Sequence, residues 1–207
     1  LGLGRYGTAV AKELVKSGME VIAVDKNEQI VQDSSAYLPI CKCADITDHE
    51  VISELGISNA DVVIVAMASS LEGSILAITL CKEAGVKTVI AKCANETHRK
   101  ILKRVGADMV VFPENESGTR LAKNLLTSGF TDILTLSDDL SLVELSTRDE
   151  WVGKSLKELN LRKKYTVNVV AFRKNGKITA PVNPEELLDK DTEIIAIVNT
   201  AKLSKLK

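Results

Sequence analysis

Several chemistries are excluded by what this sequence has little of. No apolar run approaches the roughly 20 residues of a membrane-crossing helix, so the chain itself is not expected to span a bilayer. No basic block stands out from a formal net charge of −1, which leaves no electrostatic footprint for nucleic acid. The cysteines are Cys41, Cys43, Cys81 and Cys93, and their spacings are not those of a zinc site. Buried or half-buried free thiols are expected instead. His49 and His98 lie on polar helical stretches without partners at ligand spacing, and read as surface residues. What is present is a chain of 207 residues, 45% hydrophobic, ample for a packed core in one or two domains. There is no starting methionine, and Leu1 stands at the end of what reads as a first strand, so several more residues are expected upstream.

The opening stretch Leu1-Gly2-Leu3-Gly4-Arg5-Tyr6-Gly7 reads as that strand end turning directly into a helix, Thr8 to Lys16. Gly2, Gly4 and Gly7 have the G-x-G-x-x-G spacing. The first serves the tight turn, the second a close approach of phosphate, the third the packing of helix on strand. A second apolar strand, Glu20 to Val24, is followed by Asp25, near the roughly 20-residue spacing of a carboxylate that holds a ribose hydroxyl. A nucleotide pocket and a purely structural set of glycines both account for the pattern, and the strand–acid context favours the pocket.

From there strand and helix alternate. Helices are expected at about Asn27–Ala36, from a Thr47 or Asp48 cap to Leu55, at Ser70–Glu83 and at Glu96–Arg104. Strands are expected at Pro39–Cys43, Asp61–Val65, Thr88–Ala91 and Met109–Phe112. The continuous apolar run Asp61–Val65 suits a strand buried on both faces. With the opening strand this makes a six-stranded parallel doubly wound α/β sheet. Pro113 ends the last strand, and Glu114–Leu126 reads as a further helix, suited by its narrow apolar face to a neighbouring subunit and broken by Ser128-Gly129. A boundary there gives an N-terminal domain, 1–128, and a small α+β domain, 129–207. The second holds strands at Asp132–Ser137 and Ser141–Ser146 around Asp138-Asp139, and a helix at Ser155–Asn160. A hairpin joins Thr166–Lys174 to Lys177–Pro181 around Asn175-Gly176, followed by a helical turn at Glu185–Leu188 and a strand at Thr192–Val198. So small a domain is expected to pack an apolar face on a copy of itself.

No catalytic set accompanies this fold. The Tyr-x-x-x-Lys pair of short-chain dehydrogenases is absent, since Val10, Cys41 and Val169 stand four residues after the three tyrosines. The second domain offers no acid–base groups for hydride transfer. A ligand-sensing module is therefore preferred to an enzyme. Arg5, inside the glycine turn, can hold phosphate oxygens by a charge-assisted contact or be a solvated helix-start arginine. A cation there suits a terminal phosphate, as in ADP or ATP. Lys92, at a strand end on the ligand edge, could supply a second positive group. Glu114 could bind a divalent cation bridging to phosphate or merely favour its helix through the dipole.

These residues resemble those of the regulator-of-potassium-conductance (RCK or KTN) proteins, the cytoplasmic gating subunits of Trk/Ktr potassium transporters. The resemblance lies in Gly2–Gly7 with Ala11–Leu14 and Val24-Asp25, in Leu55–Val65, and in Val105–Glu114. It continues through Leu159–Tyr165, Asn168–Ala171, Pro181 and Asp191, and so covers essentially the whole chain. It implies a Rossmann-like N-terminal lobe with ATP or ADP as ligand, NAD or NADH being the alternative. The nucleotide set would be Gly2, Gly4, Arg5, Tyr6, Gly7, Asp25, Lys26, Asp45, Lys92 and Glu114. Arg5 would meet terminal phosphates, Asp25 the ribose, and Glu114 magnesium or another cation beside the ATP. Homodimers would assemble into an octameric ring under a membrane-embedded Trk/Ktr potassium-translocating subunit, peripheral at the inner face of the membrane. ATP/ADP exchange would reshape that ring. Cyclic di-AMP would bind the C-terminal lobe near Asn168, Val169, Val170 and Pro181. Two departures from the family pattern are Ala44-Asp45 for the usual Gly-Asp, and Asn199 for a glycine closing the last strand, where a left-handed turn is expected.

Overall fold

The structure, a computed structural model, describes residues 1–67, 69–126, 130–137 and 139–201. It divides into two compact units, Leu1–Glu114 and Asn115–Lys207. The expected break at Ser128-Gly129, and with it the 128/129 boundary, lies outside the described residues, as does Asp138 of the expected turn.

In the first unit, helices and strands alternate as α1 (Arg5–Lys16), β1 (Ile22–Asp25), α2 (Glu28–Ser34), β2 (Ile40–Cys43) and α3 (His49–Glu54). Then come β3 (Val62–Val65), α4 (Leu71–Glu83), β4 (Thr88–Lys92), α5 (Glu96–Arg104) and β5 (Met109–Val111). β1 pairs in parallel with β2, and β3 with β4 and β4 with β5. The opening residues join the two sheets. The Leu1 nitrogen donates to the Ile64 carbonyl (2.8 Å), Ala66 N–H to the Leu1 carbonyl (2.7 Å) and Gly2 N–H to the Val24 carbonyl (2.7 Å). The spatial order is therefore β2, β1, opening segment, β3, β4, β5. The winding reverses between the opening segment and β3, and in such sheets a crevice opens there at the carboxyl ends of the strands.

The helix starts follow from side chains that satisfy otherwise unpaired N–H groups. Asn27 Oδ1 accepts from Gln29 and Ile30, Asp48 from Glu50, Ser70 Oγ from Gly73, and Asn95 from His98. Asp48, and not Thr47, is thus the cap of α3. One core layer sets Val65, Val89 and Ala91 of the sheet against Ala77, Ile78 and Cys81 of α4 and Leu102 of α5, all buried. A smaller one sets Leu3 and Ala23 against Ala11 of α1. The expectation that the third strand is buried on both faces needs correction. Val63 and Val65 are buried, but on the opposite face Val62, at the start of the strand, is 46% exposed and Ile64 half-buried, so that face is covered only in part. Cys81 and Cys93 are buried and Cys41 half-buried, whereas Cys43 is exposed on β2, a strand paired on one side only.

The second unit takes in most of α6 (Pro113–Leu126), which begins at Pro113 where φ is already helical. Lys123 Nζ donates to Thr135 Oγ1 and Asn124 Oδ1 accepts from Ile133 N–H, tying α6 to β6 (Phe130–Thr135). β7 (Leu140–Ser146), α7 (Leu156–Leu159), α8 (Leu161–Tyr165), β8 (Asn168–Lys174), β9 (Lys177–Thr179) and β10 (Glu193–Asn199) follow. The strands form an antiparallel sheet ordered β6, β7, β10, β8, β9. Asn175 and Gly176 turn the β8–β9 hairpin with φ of 50° and 74°, as a two-residue primed turn requires. Val143, Leu145, Ile194, Ala196 and Val198 face Trp151, Leu159 and Leu161 in a separate core. Three expectations change here. The helix from Ser155 ends at Leu159 because Asn160 adopts a left-handed conformation, and α8 starts anew beyond it. Glu185–Leu188 is a turn with a bridge from Leu187 to Ser155, not a helical turn. Asn199 stays extended, paired with Leu140, and its Oδ1 accepts from Ala201 N–H. Among the described residues no helix is long and apolar enough to cross a membrane.

Candidate functional site

The three glycines of the opening turn have three different surroundings. A Cβ on Gly7 would lie 2.0 Å from the Gly2 carbonyl oxygen, so α1 meets the strand only because that atom is absent. Gly2 has φ +91°, and a Cβ there would lie 2.8 Å from Met67 Cγ. A Cβ on Gly4 would meet nothing within 4 Å. Gly4 borders open space where backbone is presented bare. It also caps α1, and no side chain accepts from the first N–H groups of this helix, in contrast to α2–α5. Those N–H groups and the positive end of the helix dipole face the crevice, as an anion would need. Thr8 Oγ1 donates to the Leu3 carbonyl (2.8 Å) and steadies the turn.

A cleft of about 630 Å³ lies at this switch point. Gly2, Gly4, Asp25, Lys26, Asp45 and Lys92 of the expected set line it. Gly7 is buried behind the turn, and Arg5, Tyr6 and Glu114 lie outside the lining, Tyr6 and Glu114 beside Lys92 and Arg5 near enough for its charge to act on Glu114. Asp25 has a role that pattern reasoning did not supply. Its Oδ2 accepts from Leu3 N–H (2.7 Å) and its Oδ1 from Asn27 N–H (2.9 Å), so the carboxylate clamps the glycine turn to the end of β1. Each oxygen keeps lone pairs for a sugar hydroxyl. Asp45 Oδ1 accepts from Thr47 N–H (3.0 Å) and Oγ1 (2.7 Å), and the Thr47 hydroxyl holds the Asp45 carboxyl below its ordinary range.

Lys92 and Glu114 form an ion pair, Nζ to Oε1 2.6 Å. The Lys92 side chain is 14% exposed and stands 5.8 Å from the Tyr6 ring centroid, a cation facing an aromatic. The hydrogen bond from Lys92 is the main reason the Glu114 carboxyl lies below its ordinary range, and the Arg5 charge adds a little. Arg5, Tyr6, Lys92 and Glu114 therefore gather at one end of the cleft. Sequence reasoning placed Lys92 and Glu114 on the same edge but missed that they pair. It also missed Met67, Ser70 and Leu76 on the far wall, for which the β3-to-α4 turn at the switch point is the available signal.

These groups suit a nucleotide. A bare turn, an uncapped helix start and the two lysines Lys26 and Lys92 supply the donors that phosphate needs, and the Asp25 carboxylate supplies acceptors that suit ribose hydroxyls. They do not make a metal site alone, since among the described residues no three His, Cys, Asp or Glu side chains cluster to hold an ion. Glu114 could serve only a cation whose other ligands come with phosphate. A shallower depression of about 400 Å³ on α5, lined by Glu96 with Arg99, Lys100, Lys103 and Arg104, is a solvated helix face. In the second unit Asn168 and Pro181 are exposed and Val169 and Val170 half-buried. Thr179, the last residue of β9, pairs with Phe172, and Pro181 lies two residues beyond that strand end.

Residues 1–113 match the TrkA-N domain and residues 140–207 the TrkA-C domain. The chain belongs to the TrkA/Ktr family of RCK proteins. This RCK chain is 33% identical to Ktr system potassium uptake protein C of Bacillus subtilis (strain 168), over 100% of its own length and 94% of the relative's. It is also 33% identical to Ktr system potassium uptake protein A of Vibrio alginolyticus, over 100% and 94% of the two chains. A structure of the GsuK channel bound to NAD shares the fold, with a TM-score of 0.66 and 17% identity over 100% of this chain and 37% of that one. The N-terminal lobe of the RCK chain is thus a Rossmann-like α/β sheet, and its C-terminal lobe a separate antiparallel α+β unit.

Proposed function

We propose that this RCK chain is a non-catalytic nucleotide sensor, the regulatory subunit of a potassium uptake system, with ATP or ADP bound in the switch-point cleft. The observation that carries the reading is the uncapped start of α1 beside Gly4, in a cleft that Asp25 and Lys92 also line. The α1 N–H groups would hold phosphate oxygens, with Arg5 meeting the terminal phosphates. Asp25 would share its free lone pairs with ribose hydroxyls while clamping the turn, and Lys26 and Asp45 would border the base. A divalent cation arriving with the phosphates would take Glu114 as its protein ligand. Exchange of ATP for ADP regulates only if the two prefer different conformations of the assembly, since equal affinity for both shifts nothing.

The Ktr relatives support placing the chain against a membrane-embedded Trk/Ktr subunit, at the inner face of the membrane, as a dimer built into an octameric ring. The exposed Leu121 and Leu125 on α6 suit a contact with a second copy. We also propose cyclic di-AMP near Asn168, Val169, Val170 and Pro181, supported by the exposure of Asn168 and Pro181 and the partial exposure of the two valines. A second reading, NAD(H) in the same cleft, draws on the continuation of the cleft past the switch point to Met67, Ser70 and Leu76, where a second nucleoside would lie.

Thermal unfolding with ATP, ADP, NAD and NADH separates these readings, because a ligand of the native state raises Tm. ATP and ADP are expected to give the larger shifts. A larger shift with NADH would overturn the ATP/ADP assignment. Arg5→Ala should weaken ATP by about tenfold or more and leave adenosine unchanged, as loss of a charge-assisted phosphate contact requires. Equal losses for both ligands would remove Arg5 from the phosphates.

A further inference from the structure

The ion pair at the end of the cleft has unequal partners. Lys92 is 14% exposed, while Glu114 is 63% exposed, in the first turn of α6. A lysine whose side chain is largely buried holds its charge at this place and keeps an anion beside it, whereas an exposed carboxylate returns to water at little cost. Lys92 lines the same cleft as Gly4, at the open start of α1, and Tyr6 of that helix stands beside its Nζ. Glu114 thus occupies the cation that an arriving phosphate chain would meet. Arg5, the other cation nearby, makes no hydrogen bond or ion pair among the described residues, and only its charge acts on Glu114.

We propose that Glu114 is a built-in competitor for Lys92, so that the pair sets specificity by phosphate number. A ligand whose terminal phosphate reaches Lys92 replaces the carboxylate as its counter-ion and releases the first turn of α6. A shorter ligand binds at α1 and leaves the pair closed. This deepens the nucleotide reading above and rests on it. It makes Lys92 and Glu114 positioning and specificity residues rather than a fixed structural bridge.

The test is titration calorimetry on the full chain with ATP, ADP and adenosine, in buffer containing EDTA so that any cation held by Glu114 does not contribute. Glu114→Gln keeps the shape and removes the competing charge. ATP should bind about tenfold more tightly, ADP should gain less, and adenosine should not change. Lys92→Met should weaken ATP more than ADP, and Lys92→Arg should retain the preference. In the Lys92→Met background, Glu114→Gln should no longer improve ATP binding. An unchanged or weaker ATP affinity for Glu114→Gln overturns the proposal while wild-type ATP binding leaves the nucleotide reading intact. An equal gain with and without Lys92 also overturns it, since that would be simple repulsion. Failure of the wild-type chain to bind any of the three overturns both.

Discussion

The two units solve the same problem, covering a sheet, in ways that leave different surfaces. In the second unit every strand partner is supplied by hairpins and one returning strand, and β10 lies in the middle with Ile194, Ala196 and Val198 buried. Its helix start at Ser155 is closed by a reciprocal pair, in which Ser155 Oγ accepts from Glu158 N–H and Glu158 Oε2 from Ser155 N–H. In the first unit the parallel strands all end at one edge, and the helix that begins there in the middle of the sheet is left uncapped. A parallel sheet collects strand ends, and with them helix starts, on one side. An antiparallel sheet scatters them. The nucleotide cleft belongs to the first arrangement because there the open start of α1 meets the strand ends at one crevice.

The largest effect that would test this contrast is a methyl group at Gly7. A Cβ 2.0 Å from the Gly2 carbonyl forces α1 away from the strand, and Gly7→Ala should cost at least about 3 kcal/mol in urea unfolding. Gly4→Ala, where the new atom meets nothing, should change stability by less than about 0.5 kcal/mol yet weaken ATP binding. If the two substitutions cost the same stability, the division of labour within the turn is wrong.

A somewhat smaller effect separates the cores at alkaline pH. Burial of Cys81 in the first unit pushes its thiol up to about 11 from an ordinary value near 9. A raised native value means that the native state holds a proton which the unfolded chain releases. The associated stability is complete below about pH 9 and is lost as pH rises through about 11, up to about 2 kcal/mol. Cys81→Ala should flatten the fall of Tm between pH 9 and 11, measured by circular dichroism. An unchanged slope would place the alkaline limb elsewhere, for instance at Lys174, whose hydrogen bond to Asp189 in the second unit raises its value above the ordinary one.

The first unit is also the more legible in the sequence. Capping residues, terminal glycines and apolar runs are local, so Asn27, Asp48, Ser70 and Asn95 mark helix starts within a residue or two. The glycine spacing and Asp25 located the cleft because each acts through its own backbone position. What escaped depends on partners distant in the chain: the Leu3 N–H that Asp25 accepts, Met67 against Gly2, and Lys92 bonded to Glu114. Exposure of Val62 escaped as well, since an apolar run cannot say which of its faces its own unit covers. In the second unit the strands and the Asn175-Gly176 turn were readable. The insertion of β10 between β7 and β8 was not, because no local pattern encodes which strand a distant one joins. Asn160 stopped α7 through a left-handed backbone that asparagine tolerates without requiring.

The smallest effect concerns the closed helix start of the second unit, the counterpart of the open one at α1. Ser155→Ala removes one half of the reciprocal cap and should cost about 1 kcal/mol, without altering ATP affinity. The other half has a pH signature. The Ser155 backbone N–H and hydroxyl hold the Glu158 carboxyl below its ordinary range. A depressed native value stabilises the fold above the ordinary carboxylate range near 4, and that stability is lost as pH falls through the native value. Thermal scans between pH 7 and 3 should show Tm falling below about pH 4, with a shallower fall in Ser155→Ala because part of the depression has gone. If Ser155→Ala instead changes ATP affinity, the two helix starts are not independent. The separation of a closed helix start in the second unit from an open one in the first would then have to be abandoned.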